Sequence, residues 1–155
     1  MPPAIKMAEK NKIPHRVHEY EHDPAALSYG SEAAEKMAVE EQRVFKTLVV
    51  SLDNKELLVA VLPVCEMLSM KLVAKAAGAK KAVMADKAVV ERSSGYVLGG
   101  VSPLGQKKRL RTVIDVSALE FSTLYVSAGR RGLEIELAAQ DLIKLTAAVT
   151  ANVCQ

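Results

Sequence analysis

The stretch FKTLVVSLDNKELLVAVLPV, residues 45 to 64, constrains the fold of this chain more than any other. Two apolar runs rich in Val and Leu flank a polar turn around Asp53-Asn54, the signature of two paired strands. Read as a strand, the first run puts Lys46 on one face with Leu48 and Val50, and Phe45, Thr47 and Val49 on the other. Both faces are largely apolar, so the strand is expected to be covered on both sides. The Lys46 ammonium must then find a carboxylate, a ligand or the exposed end of the strand. A lysine snorkelling at the sheet edge is the plainer alternative.

Around this hairpin the pattern alternates. PPAIKMAEKNK reads as a short helix with prolines in its first turn, and HRVHEY as a strand. A polar loop, EHDPAALSYG, follows, marked by Pro24 and Gly30. SEAAEKMAVEE is expected to be helical with Ser31 as N-cap, and SMKLVAKAAGAK helical between a Ser69 cap and a Gly78 stop. KAVMA is short and apolar, and DKAVVERS is a helix led by Asp86. RTVIDV, TLYVSA and LEIELA read as three strands, and QDLIKLTAA as a closing helix. Strands in two blocks with helices between them favour a mixed α/β domain over a regular doubly wound sheet. At 155 residues, with no linker rich in Pro, Gly or Ser, a single domain over residues 1–155 is expected.

Composition narrows the function classes. Half the residues are hydrophobic and a quarter charged, the balance of an ordinary soluble globular protein. No apolar run approaches the roughly 18 residues of a membrane span, and MPPAIKMAEKNK lacks the apolar core of a secretion signal. Two lone cysteines, Cys65 and Cys154, make no disulfide framework, so a cytoplasmic location is expected. The net charge of +3 permits an anionic partner, but scarce aromatics argue against a platform stacking many bases. Neither a membrane nor a DNA partner is expected.

The segment SSGYVLGGVSPLGQKKRLRT, residues 93 to 112, is the clearest functional candidate. Gly100 and Gly105 have phosphate-loop spacing, but Gln106 stands where the lysine belongs and Lys107 where the hydroxyl belongs, so the motif fails. A flexible surface loop is one reading. Pro103 stiffens the stretch, however, and Val97, Leu98, Val101 and Leu104 suggest that it packs on the core. Adjacent Gly99 and Gly100 could then bring backbone N–H groups to a ligand carbonyl, the geometry of an oxyanion site. Lys107, Lys108, Arg109 and Arg111 follow at once, as a solvated charge run or as contacts for a phosphate backbone.

Other candidates divide by their geometry. HEYEH, residues 18 to 22, matches a zinc-helix pattern literally, but Pro14 and Asp23-Pro24 bracket it. In a strand His18 and Glu19 point to opposite faces, so no metal and no cofactor is expected, and His15, His18 and His22 read as structural. Glu134 and Glu136 share one face of LEIELA, opposite Leu133, Ile135 and Leu137. Either could partner Lys46 or hold a substrate amine, a solvated face being the default. Ser127, just before Gly129, could offer a hydroxyl to a pocket rim or merely end its strand. Cys65, after an apolar strand, reads as a buried inert thiol. No Ser/His/Asp set with readable local spacing appears.

Taken together, IPHRVHEYEHDP, FKTL, MADKAVVERSSGYVLGGVSPLGQKKRLRTVID and YVSAGRRGLEIEL closely resemble the YbaK (EbsC-type) family, free-standing relatives of the prolyl-tRNA synthetase editing domain. The similarity runs in one register from about residue 3 to residue 148. It implies a mixed, barrel-like sheet with helices packed around it, and deacylation of mischarged Cys-tRNA(Pro). Lys46 matches the family's essential lysine, with Thr47 beside it, and Tyr20 its pocket tyrosine. Gly99 to Pro103, GGVSP, including Val101 and Ser102, matches its G-x-x-x-P loop, and Ser127 its pocket serine. Tyr29 stands where a relative has Phe, and Glu134 where it has Asp.

The mechanism the resemblance implies needs no protein nucleophile, because the substrate's own cysteine thiolate attacks the ester. Its partners would be aminoacylated tRNA(Pro) and, transiently, prolyl-tRNA synthetase. A water-using deacylase of Ala-tRNA(Pro) or of broader specificity, and a non-catalytic module binding tRNA or a synthetase, are the alternatives.

Overall fold

The computed structural model describes residues 1–25 and 29–155, with nothing described of the side chains at positions 29 and 30. The 45–64 hairpin forms as expected: β2 (Phe45–Leu52) pairs antiparallel with β3 (Leu57–Pro63) in the register Phe45↔Pro63 to Ser51↔Leu57. Helix α1 (Pro3–Lys10) carries Pro in its first turn, where a missing N–H costs little. Strand β1 spans His15–Glu19 and helix α2 Tyr29–Met37. Ser31 therefore lies inside the first turn of α2 and not at its N-cap, and Gly30, expected in a loop, is helical. The rest of that expected loop falls partly outside the described residues.

Helix α3 (Met70–Ala77) has the ends its sequence predicts. Ser69 Oγ accepts the Leu72 N–H at 3.1 Å, and Gly78 closes the helix at φ 74°. Strand β4 (Ala82–Met84) and helix α4 (Lys87–Ser94) lead into the glycine-rich segment, and Asp86 caps α4 without a side-chain hydrogen bond. Strands β5 (Arg111–Asp115), β6 (Thr123–Arg130) and β7 (Leu133–Ala138), then helix α5 (Ala139–Thr146), follow the expected order. A last strand, β8 (Val149–Ala151), is too short to leave a pattern and pairs parallel with β5.

Two sheets result, β1-β7-β6 and β4-β2-β3-β5-β8. A parallel bridge between Val44 and Tyr125 joins them, which gives the barrel-like curvature. The largest core cluster lies where both sheets meet α1 and α5, with Phe45, Val61, Ile114, Val126, Ile135 and Leu142 buried in it. A second cluster fills the space between α3 and the other face of the larger sheet. This is the mixed α/β domain with surrounding helices that the sequence suggested.

Candidate functional site

The site grows from the alternation of β6 and β7. Leu124, Val126 and Ala128 on one strand, and Leu133, Ile135 and Leu137 on the other, point into the core. The opposite face then carries Tyr125 and Ser127 beside Glu136 and Glu134, the register pairing Ser127 with Glu134 and Tyr125 with Glu136. Strand β1 adds His18 opposite Glu134. This face is covered, not solvated as expected by default, and Glu134 is only 1% exposed.

The two carboxylates have different fates. Glu136 Oε1 binds His18 Nε2 at 2.9 Å, and its Oε2 accepts the Thr123 hydroxyl at 2.6 Å. Arg43 completes the group, donating to Thr123 and lying 5.1 Å from the centre of the Tyr125 ring. Burial pushes the Glu136 carboxyl up, but the Thr123 and His18 hydrogen bonds and the positive neighbours outweigh it and hold it low. Glu136 is thus part of the wall. Glu134 lies close enough to Tyr20 to affect its hydroxyl.

A register break between Ser127 and Arg130 bends β6 toward the glycine-rich segment. Ser127 Oγ donates to the Gly100 carbonyl at 3.2 Å and accepts the Gly129 N–H at 3.1 Å. Tyr96, buried just before the glycines, donates its hydroxyl to the Leu104 carbonyl at 2.6 Å. Val101, Ser102, Pro103 and Leu104 are buried, and Ser102 Oγ accepts the Leu104 N–H. Val101, Ser102 and Pro103, expected to touch substrate, are buried in the loop. Val97 and Leu98, expected to pack down, are 70% and 53% exposed.

The two glycines differ. Gly99 sits at φ +95°, a left-handed conformation that favours glycine, and is half-buried. The Gly100 N–H, however, donates to the Val97 carbonyl at 2.9 Å, so in this conformation it is not available to a ligand. Gly100 is needed for another reason: a Cβ there would stand 2.9 Å from the Arg130 Cα. Its role is close packing.

Tyr20 and Thr47 carry hydroxyls that are buried and have no hydrogen-bond partner among the described residues. Burial, then Glu134 and Glu32, push the Tyr20 hydroxyl up to about 12, so at neutral pH it is a proton donor. Lys46 is half-buried. It lies two residues beyond Val44 on β2, as Ser127 lies two beyond Tyr125 on β6, so strand alternation places it on the Val44 face, beside the site. The side chain of Tyr29 lies outside the described residues.

The cations after the loop scatter. Backbone bonds from Lys107 and Lys108 to Ser94 and Ser93 tie the segment to the end of α4. Lys107, Lys108 and Arg109 are exposed, and Lys108 and Arg109 line a cavity of about 170 Å³ with Met7 and Leu145. Arg111 leaves the group, because it reaches Glu56 at 3.4 Å and donates to the Ala77 carbonyl. Cys65, expected to be buried, is exposed. Partial desolvation and Glu66 nonetheless push its thiol up, away from the thiolate form.

Sequence reasoning gave no role in the site to three residues beside the glycine loop, reading His22 as structural. Glu32, on α2, is buried, with its carboxylate 2.6 Å from His22 Nδ1 and accepting the Asp23 N–H at 2.7 Å. His22 Nε2 lies 3.3 Å from Arg131 Nη1. The Arg131 guanidinium in turn reaches Gly99, where a Cβ would meet Nε at 3.2 Å and Nη2 at 3.4 Å. No local signal marks these residues, since His22 and Arg131 are 109 positions apart.

The sequence profile described as the aminoacyl-tRNA editing domain matches residues 23–145. A protein of Enterococcus faecalis, provisionally named a Cys-tRNA(Pro)/Cys-tRNA(Cys) deacylase, EbsC, is 39% identical over 92% of this chain and 87% of its own length. Among solved structures, the hypothetical protein APE2540 superposes with a TM-score of 0.88 at 24% identity, covering 99% of both chains. A provisionally assigned trans-editing enzyme for prolyl tRNA synthetase gives 0.83 at 20% identity, covering 98% of this chain and 92% of the other. At these identities the structural likenesses speak for the fold alone.

Proposed function

The chain belongs to the aminoacyl-tRNA editing domain family, and from that premise we propose that it deacylates mischarged Cys-tRNA(Pro) in trans. The observation that carries this reading is the character of the site. It offers an unbonded buried donor, Tyr20, and a buried carboxylate, Glu134, while its serine, Ser127, is committed to the Gly100 carbonyl and the Gly129 N–H. A site of this kind orients and polarises a substrate that brings its own nucleophile.

In this mechanism the cysteinyl thiolate of the substrate attacks the ester carbonyl carbon, and the carbonyl electron pair moves onto oxygen. Collapse of that intermediate expels the terminal ribose oxygen, which takes up a proton. The products are a cysteine thiolactone and deacylated tRNA. The Gly99 N–H polarises the carbonyl, and Tyr20 and Glu134 hold the substrate's amino end. Lys46 balances negative charge near the terminal nucleotide. Glu134 reaches one methylene further than an Asp would, and with Tyr29 it bears on amino-acid preference.

The test compares release from Cys-tRNA(Pro) and Ala-tRNA(Pro), with and without prolyl-tRNA synthetase. Faster release of Cys is expected, with a further gain when the synthetase is present. Faster release of Ala would sink the thiol mechanism, and binding of charged tRNA without any acceleration of hydrolysis would leave a non-catalytic module.

A further inference from the structure

An oxyanion site works through at least two donors aimed at one oxygen, and here the Gly100 N–H is already spent on Val97. The space where a Gly99 side chain would stand is met by the Arg131 guanidinium. With no side chain on Gly99, Nε and Nη2 reach to 3.2 and 3.4 Å of the place a Cβ would occupy. A guanidinium is a planar fork of N–H donors that stays charged at any working pH, so it suits a developing oxyanion.

The fork is held from behind. Glu32, buried in α2, accepts from both His22 Nδ1 and the Asp23 N–H. A proton fixed on Nδ1 leaves the His22 Nε2 lone pair as an acceptor, and Arg131 Nη1 lies 3.3 Å from it. A chain of contacts thus runs from a buried carboxylate through an oriented imidazole to a guanidinium over the glycine turn. Arg130, the neighbour of Arg131, turns instead to Glu19 at 3.2 Å.

We propose that Arg131 is a catalytic residue that supplies the second donor to the ester carbonyl oxygen, with His22 and Glu32 as its positioning residues. This rests on the deacylase reading above. As the thiolate adds to the carbonyl carbon, the electron pair arriving on oxygen is met by the Gly99 N–H and the Arg131 fork. When that pair returns to rebuild the carbonyl, the bond to the ribose oxygen breaks, and the thiol's proton is replaced by one on the free hydroxyl. Arg131 neither gains nor loses a proton. Its side chain is exposed in the free protein, so substrate can reach it.

The experiment has two arms. In single-turnover deacylation of Cys-tRNA(Pro), Arg131→Gln is expected to lower the rate constant at saturating enzyme about a hundredfold, with apparent substrate affinity within about twofold. In calorimetric binding, two adenosine 3′-cysteinyl mimics are compared: a neutral carboxamide, and a phosphonate monoester whose tetrahedral anion imitates the intermediate. The protein is expected to prefer the phosphonate by about tenfold or more, and Arg131→Gln to lose that preference while binding the carboxamide unchanged. Arg131→Lys should not restore it, because a point charge lacks the fork. His22→Ala should lose part of both effects, the phosphonate preference included, and should lower the thermal midpoint modestly because buried Glu32 loses a hydrogen bond.

An Arg131→Gln variant that keeps its saturating rate constant within twofold, or a wild-type protein that does not prefer the phosphonate, would overturn the assignment. A wild-type protein that prefers the phosphonate through Arg131 yet never deacylates Cys-tRNA(Pro) would instead overturn the deacylase reading and leave Arg131 in place.

Discussion

Ser127 donates its hydroxyl to the Gly100 carbonyl at 3.2 Å, so the β6 bulge and the glycine turn form one unit. The same oxygen accepts the Gly129 N–H, so its proton and one of its lone pairs are engaged. A serine that looks like part of a pocket rim is a staple between two loops. Ser127→Ala should therefore cost about 1 kcal/mol of stability, read by chemical denaturation, because the buried Gly100 carbonyl and Gly129 N–H each lose a partner. Its effect on deacylation should scale with loop disorder and be smaller than that of Lys46→Ala.

Lys46→Ala should reduce deacylation of Cys-tRNA(Pro) by a hundredfold or more, with a circular dichroism spectrum like that of the wild type. The side chain is half-buried beside the site and its removal leaves no large void. Cys65→Ala should be nearly silent, since the thiol is exposed and held protonated. Single-turnover rates of the two variants separate them directly.

Glycine positions should rank by the space they leave. Gly78 meets nothing within 4 Å, so Gly78→Ala incurs only the left-handed penalty of about 1–2 kcal/mol. Gly105→Ala adds a Cβ 2.5 Å from the Pro3 carbonyl carbon at φ +67°, a backbone clash on top of the same penalty. It should cost about 1–3 kcal/mol more, seen as a lower thermal midpoint.

Asp115 should set part of the acid stability. Its carboxylate accepts from the Ser117 hydroxyl, the Ser117 N–H and the Val153 N–H. Burial pushes its pKa up, but those hydrogen bonds outweigh it, so the folded pKa lies below the unfolded one. The stability it contributes is fully present above about pH 3.9, the ordinary value, and is lost as pH falls through the lower folded value. Asp115→Asn should destabilise the protein at pH 7 by about 1–3 kcal/mol and flatten the slope of stability against pH below about pH 4. Denaturation midpoints across pH 2.5–7 check this.

The cations after the glycine loop should separate in a salt titration of tRNA binding. If Lys108 or Arg109 meets a phosphate, its Gln variant should reduce the slope of log affinity against log salt by about 0.7–0.9. Arg111→Gln should leave the slope unchanged, because that guanidinium is engaged by Glu56 and the Ala77 carbonyl. Its effect on stability should be within about 0.5 kcal/mol, as for an exposed pair.

What the sequence alone determined is whatever depends on near neighbours along the chain. The 45–64 hairpin, the Ser69 and Gly78 ends of α3, and the strands around Ile135 and Val126 follow from periodicity and capping, which act within a few residues. The motifs that mark the family are also local, and they single out the glycine loop, Lys46 and Glu134 as candidates. Burial of the Glu134 face was not, because alternation says which residues share a face and not what covers it.

Tertiary structure alone decided which polar groups remain available. Gly99 and Gly100 are equivalent in sequence, yet a turn back to Val97 removes one N–H. Arg111 and Lys108 belong to one charge run, yet Glu56 on the β2–β3 turn draws Arg111 away. Arg131 comes to Gly99, and to a His22 already fixed by Glu32, only because the β6–β7 turn folds back over the end of β1. A donor is used up by its neighbours in space, which for Arg111 lie 55 positions away and for Arg131 lie 109. No local pattern encodes them.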